Sequence, residues 1–210
     1  MNKVDSSQRA IVYIDGYNFY YGLKKVGFRK YLWLNFDKFS QNLLLPSQKL
    51  VKIKYFTSAE IFAEESRKRQ ALYFDALATL PNLKRYMGHF QDDTDRWCTN
   101  CNQFVSDTRE KRTDVNLATA MLVDAFLDRY DIAILISSDS DFIAPIQAVI
   151  NHFQKKKVFT AISPGRSSKA LRGVSTGIIT ITEEMLSNNQ FPDMVTGTAG
   201  FDLLRPDDWR

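Results

Sequence analysis

The stretch Ile132–Phe142, IAILISSDSDF, governs how the rest of the chain reads. Its apolar run from Ile132 to Ile136 fits a strand buried on both faces, as in a parallel sheet. Ser137 and Ser138 follow, then Asp139 and Asp141 with one residue between them. Two carboxylates at the tip of one buried strand repel each other unless something positive lies between them.

Outward from this stretch, strands and helices alternate along the chain. Strands are expected at Ala10–Gly16 (AIVYIDG), Lys49–Thr57, Leu83–Phe90, Ile132–Ser138, Val158–Ser163 and Gly177–Thr182. Helices are expected at Tyr17–Lys25, Glu64–Thr79 (closed by Pro81), Thr113–Arg129, Ile143–Phe153 and Ser167–Val174, with one more turn at Glu183–Ser187. In the helix from Thr113, the spacing of Val115, Ala118, Met121, Leu122, Ala125 and Phe126 marks the expected buried face. Thr113 reads as its N-cap, which places Asp114 in the first turn, where the helix dipole favours negative charge.

Such alternation implies an α/β fold: a three-layer α/β/α sandwich with a mainly parallel central sheet. Residues 1–187 read as a single domain. Residues 91–112, QDDTDRWCTNCNQFVSDTREKR, break the rhythm and read as an inserted Cys-containing loop or small knuckle. Residues 188–210 read as a C-terminal tail packed on the domain or extending from it.

The bulk numbers exclude little. The chain has 210 residues, 44% hydrophobic and 25% charged, with a formal net charge of +4. That mild basicity is compatible with nucleic acid without requiring it. No apolar run approaches ~18 residues, so no membrane span is expected. The N-terminus MNKVDSSQRA has no apolar signal core, which makes a cytoplasmic location the expectation.

In parallel sheets ligands sit outside the carboxyl ends of the strands. Asp15 ends the first strand, Asp139 and Asp141 end a later one, and Asp114 opens the helix between. Clustered carboxylates in a partly dry pocket suit Mg²⁺ or Mn²⁺, ions that activate water at a phosphodiester. Asn18 could orient water or phosphate, and Ser137, Ser138 and Ser140 add hydroxyls. The competing view is that each aspartate merely caps a turn.

Three motifs in this order, IVYIDGYNFYYG, EKRTDVNLATAML and YDIAILISSDSDFIAPIQ, resemble the NYN domain, specifically the LabA-like group of the PIN-like nuclease superfamily. The resemblance runs from about Ala10 to about Thr182. It implies a PIN-like (Rossmann-like) fold and a metal-dependent ribonuclease that hydrolyses RNA. By position, Asp15 and Asn18 match the D-x-x-N of the first motif. Asp114 matches the acid of the second, and Asp139 and Asp141 the paired acids of the third. The chain departs from the family pattern in FQKKKV, with lysine in place of a glycine, and in GVSTGIITI, which lacks an aspartate. A catalytically inactive RNA-binding or regulatory module on the same fold is the alternative.

Cys98 and Cys101 have the spacing of metal ligands, and Zn²⁺ there would need partners such as His89, Asp93 or Asp95, or a second chain. A reduced pair in a tight turn is the simpler reading. The basic residues Lys24 and Lys25, Lys111 and Arg112, and Arg166, Lys169 and Arg172 flank the strand-tip loops and form a candidate RNA-binding rim with Ser138. Tyr17, Phe19 and Tyr20 read either as base-stacking rings or as helix core. A homodimer is a further expectation. A phosphatase that uses D-x-D is disfavoured, because there the pair follows the first strand.

Overall fold

The two strands with acidic tips, β1 (Gln8–Asp15) and β6 (Ile132–Ile136), are neighbours at the centre of a six-stranded parallel sheet. The computed structural model describes residues 7–59, 63–98 and 102–210. On one side of the central pair lie β2 (Gln48–Thr57) and β3 (Leu83–Met87), on the other β7 (Lys157–Ile162) and β8 (Gly177–Thr180), in the order β3-β2-β1-β6-β7-β8. The chain therefore builds outward from β1 in one direction, returns, and builds outward from β6 in the other. The β1–β6 boundary is the topological switch point, where open α/β sheets form their ligand crevice.

Period-two alternation assigns the layers. Ala10, Val12 and Ile14 of β1 and Ile132, Ile134 and Ile136 of β6 face one core. That core is covered by α1 (Gly16–Lys25), α2 (Phe36–Asn42), α3 (Glu64–Ala78) and α7 (Glu183–Ser187). Ile11, Tyr13, Ala133 and Leu135 face the other, covered by α4 (Thr113–Phe126), α5 (Ile143–His152) and α6 (Lys169–Val174). The sandwich expected from the sequence is the observed fold.

The elements differ from expectation in four places. Residues 91–112 are no loop for most of their length: β4 (His89–Cys98) pairs antiparallel with β5 (Gln103–Lys111) in a sheet of their own. Backbone pairing carries this hairpin, so its polar sequence shows no apolar period. The strand expected at Leu83–Phe90 divides at Gly88, whose N–H bonds to Thr57 O as the chain leaves the central sheet. Helix α2 forms where the sequence leads to no expected element. Its cap is Asn35, whose Oδ1 accepts from the Asp37 and Lys38 N–H groups at 3.0 and 3.1 Å.

Helix α4 is rotated from the expected phase. Leu117, Met121, Asp124 and Ala125 are buried, whereas Val115 and Phe126 are exposed. The inward position is taken by a charge: Asp124 meets Lys54 Nζ at 2.5 Å, the Tyr13 hydroxyl at 2.7 Å and an Arg129 Nη at 3.1 Å. A charged residue at the centre of the buried face hides that face from hydrophobic periodicity. Nor does Thr113 cap the helix; Arg112 does, at φ 82° and without a side-chain bond.

The tail packs on the domain. Strands β9 (Met194–Thr196) and β10 (Asp202–Leu204) form a small antiparallel pair, and Phe191, Leu203 and Trp209 join the core beside Trp33. Trp209 meets Trp33 and Tyr73 with ring centres 6.3 and 5.7 Å apart. Among the described residues, no helix is long and apolar enough to cross a membrane.

Candidate metal and nucleic-acid site

Asp15 ends β1 and caps α1, its Oδ1 accepting from the Asn18 N–H at 3.0 Å. Its Oδ2 accepts from the Ser137 hydroxyl at 2.9 Å. Only 3% of the residue is exposed. Burial pushes the carboxyl up to about 7; the bonds from Asn18 and Ser137 oppose that rise, and the charges of Asp114 and Asp139 add to it. Gly16 follows because nothing larger fits: a Cβ there would stand 2.6 Å from the Tyr55 ring and 2.9 Å from the Phe56 carbonyl.

The tip of β6 is laced to that of β1. Ser137 Oγ accepts from the Asp139 N–H at 3.1 Å, and Asn18 Oδ1 accepts from the Ser138 N–H at 3.2 Å. Asp139 caps the short 3₁₀ turn Ser140–Phe142, its Oδ1 accepting from the Asp141 N–H at 3.0 Å. The capping alternative raised by the sequence is therefore real for Asp15 and Asp139, and it coexists with the cluster they help to build.

Asp114, Asp139 and Asp141 each bring a carboxylate oxygen within 4.8 Å of the other two. Ligands of Mg²⁺ or Mn²⁺ at about 2.1 Å from the ion stand about 3–4 Å apart. The trio thus needs to contract by at most about 2 Å, and its all-oxygen donor set suits a hard cation. Asp15 lies outside that close trio but near enough to feel the charges of Asp114 and Asp139. Asp114 reaches the site from the far layer because Arg112, in the left-handed region, turns the chain from β5 into α4.

Lys24 and Lys25 are exposed in the last turn of α1, about 14–15 Å along the helix from its cap Asp15, with Lys24 Nζ 5.6 Å from the Tyr21 ring centre. Arg112 is exposed next to Asp114, and Lys169 and Arg172 are exposed on α6, which packs against the Ser140–Phe142 turn. Ser138 Oγ, Ser163 Oγ and Arg166 Nε are buried with no hydrogen-bond partner among the described residues. Tyr17 is exposed and Tyr20 half-buried, while Phe19 turns into the core against Phe36 and Phe39. Cys101 lies outside the described residues, as do the side chains of Cys98, His89, Asp93, Asp95 and Lys111.

The sequence model of the NYN domain matches residues 9–182. The chain belongs to the NYN domain family. Among curated proteins, this NYN domain is similar to the 6-hydroxy-3-succinoylpyridine 3-monooxygenase HspA of Pseudomonas putida, at 25% identity over 99% of this chain and 77% of that protein. Among solved structures it resembles a protein of unknown function from Vibrio parahaemolyticus, with a TM-score of 0.59, 15% identity, and coverage of 87% of this chain and 98% of that one. The latter likeness concerns the fold alone.

One feature of the fold is not expected from the sequence. A cavity of about 70 Å³ opens next to Gly16, walled by Tyr17, Tyr20, Tyr55, Tyr73 and Trp209. These residues come from α1, β2, α3 and the tail, and no local spacing announces that they meet. The signal available was the aromatic run FYY at Phe19–Tyr21 within the first motif.

Proposed function

We propose that this NYN domain is a metal-dependent ribonuclease hydrolysing RNA phosphodiester bonds. The observation that carries the reading is the trio Asp114, Asp139 and Asp141 at the sheet's switch point, with oxygens within 4.8 Å of one another. In this reading the three carboxylates hold Mg²⁺ or Mn²⁺, which when bound supplies an activated water and charge stabilisation at the phosphate. Asp15 adds a fourth acid behind the trio and holds Ser137, which in turn positions Asp139. Asn18 has its Oδ1 committed to Ser138, so its NH₂ is the group that orients water or phosphate. Lys24, Lys25, Arg112, Arg166, Lys169 and Arg172 would line the path of the RNA backbone. The three quoted motifs support a place in the LabA-like group.

The test is cleavage of single-stranded RNA in Mn²⁺ by the wild type beside Asp139→Asn. Cleavage by the wild type alone is expected. Metal-independent binding with no cleavage by either protein would replace the nuclease with an RNA-binding module.

A second reading is favoured by one observation, the aromatic-walled cavity beside Gly16. The similarity to a monooxygenase of a substituted pyridine raises a small heteroaromatic molecule as the substrate. Incubation with hydroxypyridines, followed for binding and for turnover, separates this reading from the first.

A further inference from the structure

We infer that the cavity beside Gly16 is a seat for one planar heteroaromatic ring, and that in RNA its occupant is the base next to the scissile phosphate. The assignment of that base rests on the nuclease reading; the ring seat itself does not.

Three observations converge. The walls are largely aromatic: Tyr17, Tyr20, Tyr55, Tyr73 and Trp209 line a space of about 70 Å³. A single water needs about 10–15 Å³ of such space, so the cavity holds several waters or one flat ring. Aromatic walls favour a flat π-system over an alkyl chain, because bases stack on side-chain rings with little regard to sequence.

The second observation is an unmet hydrogen bond. Ser58 lines the cavity, is 1% exposed, and its hydroxyl has no partner among the described residues. A buried hydroxyl without a partner is costly, and a ring with polar edge atoms would meet that need where a hydrocarbon would not. Gln70, also on the wall, donates to the Ser58 carbonyl at 2.9 Å and so fixes the backbone that presents this hydroxyl.

The third is continuity with the acids. Gly16 forms part of the cavity wall, and Asp15, its neighbour in sequence, is bonded through Ser137 to the segment that carries Asp139. A ring seated here lies one residue along the chain from Asp15, the acid outside the close trio. In a polynucleotide, base and phosphate are joined through one sugar, so a base seat beside a phosphate site sets which nucleotide is presented for cleavage. Such pockets, mostly apolar with a few placed polar groups, are the usual form of a small-ligand site.

The test uses the full chain in EDTA, so that metal chemistry is silent. Calorimetric titration with each of the four ribonucleoside 5′-monophosphates, and with 2-hydroxypyridine, reads the ring seat. Two variants are compared: Ala59→Trp, at an exposed wall position, fills the mouth, and Ser58→Ala removes the orphan hydroxyl. At least one monophosphate should bind, with affinity falling about tenfold or more in Ala59→Trp. Ser58→Ala should weaken binding while leaving thermal stability unchanged or raised, which a merely structural serine would not do. Binding of 2-hydroxypyridine but of no monophosphate would keep the ring seat and overturn the base as its occupant. Absence of ring binding, with Mn²⁺-dependent RNA cleavage equal in wild type and Ala59→Trp, would overturn the seat and leave the nuclease standing. Ring binding by a protein that cleaves no RNA would do the reverse.

Discussion

Ser137 donates its hydroxyl to Asp15 Oδ2 at 2.9 Å, tying the tip of β6 to the tip of β1 across the sheet's switch point. The same oxygen of Ser137 accepts from the Asp139 N–H at 3.1 Å, so one hydroxyl sets the distance between two acids that are far apart in sequence. Loss of this bridge leaves Asp15 buried with one fewer donor. Ser137→Ala should therefore raise the Asp15 pKa further and move the alkaline rise of any Asp15-dependent activity to higher pH, read from a pH–rate profile.

Asp15 also makes the stability of the metal-free protein depend on pH. Its pKa of about 7 in the fold lies above the ordinary 3.8, so the folded state holds the proton more tightly than the unfolded chain. Stability from this group is full below about pH 4 and is lost as pH rises through about 7. The loss is at most about 4 kcal/mol. Asp15→Asn should flatten this part of the urea-denaturation profile between pH 4 and 8. A persistent slope of the same size would assign the dependence to other groups.

The acidic trio predicts opposite effects with and without metal. Asp141→Asn removes one repelling charge while its N–H still bonds to Asp139. The metal-free variant should match or exceed the wild type in melting temperature. Added Mn²⁺ should stabilise the wild type as its concentration passes the dissociation constant, and the variant far less. Cleavage should fall by about 100-fold or more, since even indirect ligand partners are worth about 10–100-fold. Equal thermal shifts for both proteins would remove Asp141 from the metal site.

Arg112 holds a left-handed backbone, φ 82°, at the entrance to α4. A non-glycine residue pays about 1 kcal/mol or more for that conformation. Arg112→Gly should make the fold more stable by roughly that amount. It should also weaken RNA binding and lower the slope of log affinity against log salt by about 1. A gain in stability with an unchanged salt slope would make Arg112 a turn residue without a phosphate contact.

Asp124 tests the buried charge cluster behind the sheet. It is fully buried against Lys54, itself 9% exposed, and it also bonds Tyr13 and Arg129. Asp124→Ala strands the Lys54 ammonium and should cost about 3–5 kcal/mol in urea denaturation. Asp124 lies ten residues beyond Asp114 along α4, about 15 Å away. Metal affinity of the remaining folded protein should therefore be unchanged.

Elements with continuous apolar runs or clean amphipathic spacing were legible in the sequence. The central strands, α1, α3, α5 and α7 lie within a residue or two of their expected bounds, and Asp15, Asp114 and Asp139 stand at the element ends inferred for them. The β4–β5 hairpin was not legible, because backbone bonds between polar residues hold its strands. The phase of α4 was not legible, because Asp124, a charge, occupies its buried face.

Local order along the chain thus determined the sandwich, the edge of the sheet that carries the acids, and the residues that supply them. Only the tertiary structure decided which acids meet. It groups Asp114, Asp139 and Asp141 within 4.8 Å and sets Asp15 behind them, bonded at both oxygens. It also gathers Tyr55, Ser58, Tyr73 and Trp209 around one cavity. The reason is physical: hydrogen-bond and apolar periodicity act over a few residues, whereas the distance between strand tips is set by sheet order and by the layers packed on both faces.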